Sequence, residues 1–267
     1  MPNRSLLEEI ENRQGEESKK TTVWRLGGAG CVVRFCETIV YIDPYLAIPA
    51  PDAEFHRAVP VPIPPDTITK ADAILSTHDH EDHCNEETVM AFKRNTDARF
   101  IGSVSSTKKA MAWGYPSDRT VMMCPNDIYQ ISPTTTILAF CSNDLYSESA
   151  LTFLLKTPAG SIFHGGDTAY FTGLREIGRA HKVDIALLNF AKQVPTPSKP
   201  YYMNAKSVAS AARDLKADVV IPIHWDLWAE AKDDPVSIGA WLKKMSPRAK
   251  LCVLGVGERY ELDSDFP

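Results

Sequence analysis

Ala71-Asp72-Ala73-Ile74-Leu75-Ser76-Thr77-His78-Asp79-His80-Glu81-Asp82-His83 opens as an apolar run that fits a buried strand. It then becomes a loop carrying three of the chain's seven histidines. The next residues, NEETVMAFKR, read as a helix, with Asn85 near the cap and Glu86 and Glu87 favouring its first turn. The polar cluster therefore sits between a strand and a helix, on a connection where ligands from several elements can converge.

Working outward, TVWRL, CVVRF and TIVYID are strands separated by short turns. RFIGS is a strand, SSTKKAMAWG a helix closed by Gly114, and RTVMM, DIYQI, TTTILAF and ALTFLLKT are consecutive strands. SIFHGGD, VDIALLNF, ADVVIPIH and AKLCVLG follow as strands, with helices near 172–181, 204–216 and 236–244. Strand runs come first and strand–helix alternation second, in both halves of the chain. That order predicts a mixed α/β (α+β) fold, a four-layer αββα sandwich with helices outside two facing sheets. Residues 1–21 read as an N-terminal helix (6–13) and linker, and 22–267 as one domain. The stretch from Pro44 to Pro65 holds seven prolines, which excludes a helix or central strand and marks a long functional or mobile loop.

The 267 residues are 44% hydrophobic and 24% charged, with a formal net charge of −5. This is the mix of a chain with a sizeable core, and its acidity argues against a nucleic-acid partner. No stretch approaches a membrane span or a signal peptide. Six scattered cysteines without a C-x-x-C pair suit free thiols in the cytoplasm.

Imidazole and carboxylate together suit zinc, manganese or iron. His78, His80, Asp82 and His83 supply the cluster, and Asp43, Asp167 and His224 each end an apolar strand. A buried acid or histidine at such a place needs a partner. His164, just before Gly165-Gly166-Asp167, reads equally as a residue orienting a ligand or as an ordinary hydrogen-bonded strand histidine.

His78-x-His80-x-Asp82-His83, with Asp43 before it and Asp167 and His224 after it, resembles the metallo-β-lactamase superfamily. WRLGGAG, ILSTHDHEDH, LLKTPAGSIFHGGDTAYF and VVIPIHWDLW are similar to the L-ascorbate-6-phosphate lactonase (UlaG-like) family, in a likeness running from about Leu6 to about Gly257. The resemblance implies a metal-dependent hydrolase holding one or two divalent ions, Mn2+ or Zn2+. His78, His80, Asp82, His83, Asp167 and His224 would be ligands, with Asp167 bridging if two ions are present and Asp43 anchoring the histidine loop. Asp82 and Asp167 are the catalytic candidates, Asp82 as a proton carrier. Most superfamily members supply another histidine before the bridging aspartate, but here none lies between His83 and His164. Asp144 is the candidate in its place, and oxygen ligation would favour harder ions.

The implied reaction is the opening of a phosphorylated sugar-acid lactone by water activated on the ion. An anionic substrate needs local cations, and Lys192 and Lys199 flank the loop after VDIALLNF. The expected partner is a small molecule, with no nucleic acid and no membrane, and a homo-oligomer is compatible with the sequence. The rival readings are a phosphodiesterase of the same fold and a non-enzymatic, metal-dependent binding protein.

Overall fold

The computed structural model describes residues 5–13, 15, 19–192 and 202–262. Its first half comprises α1 (Leu6–Glu11), β1 (Thr21–Gly27), β2 (Gly30–Phe35), β3 (Thr38–Ile42), β4 (Ala73–Ser76), α2 (Glu86–Asn95), β5 (Arg99–Gly102), α3 (Val104–Ala112) and β6 (Thr120–Met122). The second half comprises β7 (Ile128–Ser132), β8 (Thr135–Cys141), β9 (Leu151–Thr157), β10 (Gly160–His164), α4 (Gly173–Ala180), β11 (Ile185–Asn189), α5 (Ala205–Leu215), β12 (Val219–Ile223), α6 (Ile238–Met245), β13 (Lys250–Leu251) and β14 (Arg259–Leu262).

Two seven-stranded sheets result, ordered β14-β1-β2-β3-β4-β5-β6 and β13-β12-β11-β10-β9-β8-β7. In each, an antiparallel meander passes into a parallel half, which runs from β3 to β6 in one sheet and from β10 to β13 in the other. Side chains alternate across a strand, so each buried strand serves two layers. Val23, Val33 and Val40 face Phe153, Leu155 and Leu187 between the sheets. Trp24, Val32 and Tyr41 pack outward with Ile10, Phe92 and Ala110 of the first helical layer. Phe163, Ala186 and Val220 pack outward with Leu174, Val208 and Leu242 of the second. This is the expected four-layer αββα sandwich.

Two local expectations fail. The N-terminal helix is part of the domain rather than an appendage: Ile10 is fully buried, and the Glu11 carboxylate accepts from Thr69 N at 2.7 Å and Lys70 N at 3.0 Å. Within AKLCVLG only Lys250–Leu251 is a strand, whereas Arg259–Leu262, unforeseen in sequence, returns to pair antiparallel with β1.

The topology places the cluster. Asp43 follows β3, His78 follows β4, Asp144 follows β8, Asp167 follows β10 and His224 follows β12. Polar side chains at these strand ends meet at one rim of the sandwich. The proline-rich segment covers that rim, through a bridge between Arg57 and Trp228 and a hydrogen bond from Ala58 N to Leu227 O of 2.7 Å.

Candidate metal centre

Asp43 organises the site. It is fully buried and holds the left-handed backbone conformation (φ 45°), unusual for a residue with a side chain and found where surrounding structure enforces it. Its Oδ1 accepts from Thr77 N at 2.8 Å, and its Oδ2 accepts from Thr77 Oγ1 at 2.7 Å and from His83 Nδ1 at 2.8 Å. The Thr77 hydroxyl, donating to Asp43, lies 3.0 Å from His78 Nδ1 and so accepts from it. By accepting from His83 directly and from His78 through Thr77, this one carboxylate keeps a proton on Nδ1 of both imidazoles and turns both Nε2 atoms inward.

Two triplets of donor atoms form, each within 4.8 Å of one another: His78, His80 and Asp167, and Asp82, His83 and His224. The Asp167 carboxylate also approaches the second triplet, with Oδ1 3.4 Å from His83 Nε2 and Oδ2 3.5 Å from His224 Nε2. Asp82 Oδ2 accepts from His224 Nε2 at 3.1 Å and from Trp228 Nε1 at 3.0 Å. His224 shares the left-handed conformation (φ 68°), and its N–H is tied to Gly28 O at 2.8 Å. Gly166 turns the chain before Asp167 at φ 51°, where an added Cβ would strike the Thr77 side chain at 2.8 Å.

The acidic and imidazole side chains of the centre shift one another's protonation. Burial opposes a cation on His83, but Asp167, Asp82 and Asp43 outweigh it and hold its pKa well above the usual value. Burial likewise opposes His224, which Asp167 and Asp82 raise. Against burial, these imidazolium groups keep Asp82 and Asp167 well below the ordinary carboxylate range. Burial and the neighbouring His83 push His78 down to about 3.

A metal ion fits this donor set. Asp144 Oδ2 is buried with no hydrogen-bond partner, and His83 Nε2 and Asp167 Oδ1, 3.4 Å apart, have none besides each other; buried polar atoms in folded proteins seldom lack one. Asp144 Oδ2 lies 3.9 Å from His78 Nε2, while its Oδ1 accepts from Tyr146 N at 2.8 Å and Ser147 N at 3.2 Å. The carboxylate thus stands beside the first triplet without belonging to it.

His164 lies behind the centre: its Nε2 bonds Ala29 O at 2.9 Å, and Gly166 N donates to its Nδ1 at 3.2 Å. It therefore props the turn that presents Asp167. Asp82, expected as a proton carrier, lies on the cavity floor with its pKa held below the usual carboxylate range by His83 and His224 against burial. Lys192 is exposed and is not among the described residues that line the cavity over the centre; its backbone N–H donates to Ala231 O at 3.0 Å. Lys199 lies outside the described residues.

That cavity, of about 850 Å³, has His80, Asp82 and Asp167 on its floor and Tyr45, Phe55 and Trp228 among its walls. Sequence reading missed these aromatics, which are scattered through a loop and carry no periodic signal. It also missed Thr77 as a relay. Trp228, four residues beyond His224, was the one available cue.

An αββα sandwich with two adjoining His/Asp triplets at one rim defines a protein built to suit a metal centre. The family model described as the beta-lactamase superfamily domain matches residues 38–225, and the chain belongs to that family. Among curated proteins, the probable L-ascorbate-6-phosphate lactonases UlaG of Salmonella paratyphi B and Salmonella newport are each 27% identical over 214 residues, covering 73% of this chain and 60% of theirs. The chain thus spans less than two thirds of the length of these relatives. Among solved structures, Igni18, a metallo hydrolase from Ignicoccus hospitalis, has a TM-score of 0.72 at 18% identity and covers 91% of this chain and 99% of its own. An isothiocyanate hydrolase from Delia radicum gut bacteria has a TM-score of 0.74 at 16% identity, covering 90% and 98%. At these identities the structural likeness speaks for the fold.

Proposed function

We propose that the protein is a metal-dependent hydrolase that opens an ester or lactone bond in a small molecule. The observation that carries this reading is the convergence of two His/Asp triplets beneath an open cavity, with His80, Asp82 and Asp167 on its floor. The names of the UlaG relatives favour a lactone. His78, His80 and Asp167 would hold one divalent ion and Asp82, His83 and His224 a second, with Asp144 as an additional oxygen donor; Mn2+ and Zn2+ are the ions we propose. Bound there, such an ion supplies Lewis acidity, polarising a carbonyl and making water nucleophilic near neutral pH.

The chain's own residues do the rest. Asp43 and Thr77 fix the imidazole tautomers, and Trp228 fixes one oxygen of Asp82. In the reaction water adds to the carbonyl carbon, the carbon–oxygen bond breaks, and an acid and an alcohol result. A phosphorylated sugar-acid lactone was the sequence expectation; of its two candidate cations, Lys192 is not among the described lining residues and Lys199 lies outside the described residues. Six cysteines without a disulfide are compatible with a cytoplasmic setting, and among the described residues no helix is long and apolar enough to cross a membrane.

The test is the double variant His78→Ala/His80→Ala. Metal content should fall and hydrolysis of a lactone and ester panel should disappear, while circular dichroism is retained. Undiminished metal in that variant would refute the assignment.

A further inference from the structure

The cavity wall is more apolar than a sugar phosphate requires. Tyr45 and Phe55 flank Trp228 with ring centroids 5.6 Å and 5.9 Å from it, and Ile48, 79% exposed, stands at the mouth. Such tilted rings offer flat apolar area at little conformational cost. The charged residues at the mouth are Glu54, Glu81 and Glu87, all exposed, and among the described lining residues there is no lysine or arginine. Two nearby cations are already committed. Arg57 donates to the carbonyls of Val59, Tyr45 and Ala47 and lies over the Tyr45 ring at 5.2 Å. Lys109 Nζ donates to Asp79 O at 2.7 Å and to Cys84 O at 3.3 Å.

A phosphate entering this mouth would approach the exposed carboxylates of Glu54 and Glu87, a like-charge encounter that costs affinity. A neutral body loses nothing by it, and a cation is drawn both to the glutamates and to the aromatic faces. We propose that the substrate is an uncharged or cationic molecule with an aromatic or branched apolar body seated against Tyr45, Phe55 and Trp228, and that Glu54 and Glu87 discriminate against phosphorylated molecules. The inference rests on the hydrolase reading for its floor, because Trp228 both forms the wall and holds Asp82.

The test uses phenyl acetates bearing a para methyl, trimethylammonium or phosphate group, following acetate release by the metal-loaded protein. The corresponding phenols are titrated calorimetrically as a binding arm independent of turnover. The neutral and cationic esters should exceed the phosphorylated one in kcat/KM by about tenfold or more, and the phenols should bind in the same order. Glu54→Gln/Glu87→Gln should raise KM for the cationic ester by about two- to fivefold, as expected for exposed charges, and leave the neutral ester unchanged. Phe55→Ala should raise KM for the aryl esters but not for ethyl acetate. Preference for the phosphorylated ester, or equal effects of the glutamine variant on cationic and neutral esters, would overturn the proposal. Ordered phenol binding without turnover of any ester would leave this inference standing and remove the hydrolase reading; turnover without that order would do the reverse.

Discussion

Asp43→Asn changes one atom, an oxygen for an NH2, in a fully buried side chain that makes three hydrogen bonds. Asparagine tolerates the left-handed backbone at this position, so the fold should persist. The amide oxygen can still accept from Thr77 N. The amide nitrogen, however, now donates where Asp43 Oδ2 accepted. His83 Nδ1 must then give up its proton to act as acceptor, and the one remaining ring proton sits on Nε2, the atom that faces Asp167 and Asp82 at 3.4 Å and 3.7 Å. The Thr77 hydroxyl, accepting from the amide, redirects its own proton toward His78 Nδ1 at 3.0 Å, which reverses that tautomer as well. Both triplets thus lose an inward lone pair. Changes of this kind behind metal ligands cost about 10- to 100-fold in affinity, or about 1.4 to 2.8 kcal/mol per site. Chelator-competition titration reads affinity and stoichiometry, and 15N shifts of the histidines read the tautomers. Thr77→Val should weaken only the His78 triplet. Wild-type affinity in Asp43→Asn, or unaltered tautomers, would refute the relay.

Asp144→Ala should weaken metal retention at the His78 triplet, because it removes the unpartnered oxygen 3.9 Å from His78 Nε2; equal metal content after dialysis would dismiss its role. Metal affinity should rise with pH, since His83 and His224 are held as cations and must release protons to bind. Calorimetry in buffers of different ionisation heat should detect those protons, and zero release would contradict the assignment. In the metal-free protein the same raised values favour folding below about pH 6.5, the unfolded histidine value, and that contribution is lost as pH climbs through the folded values. Thermal melts across that range provide the check. Arg25→Met should destabilise by about 3–5 kcal/mol, because it strands Asp226, which Arg25 meets at 2.5 Å in the interior beside the His224 loop. Arg25→Met/Asp226→Leu should recover part of the loss in denaturant titration, and no recovery would show that the pair is not the cause.

What the sequence determined by itself was local. A buried strand followed by a histidine-rich loop and a capped helix is written in consecutive residues, and so are the apolar runs ending at Asp43, Asp167 and His224. The sandwich follows because the order of strands and helices constrains how layers can be built. The tertiary structure decided what depends on distant pairings. It brought Asp144 beside His78, made Asp43 and Thr77 a tautomer relay, and joined the proline-rich loop to Trp228, about 170 positions away, as a cavity wall. It also joined β14 and the N-terminal helix to the domain, and left Lys192 out of the described cavity lining. Secondary-structure patterns report which face of an element is apolar. They carry no information about which loops meet above a sheet edge, and in this protein those meetings choose the orientation of the metal ligands and the chemistry of the cavity mouth.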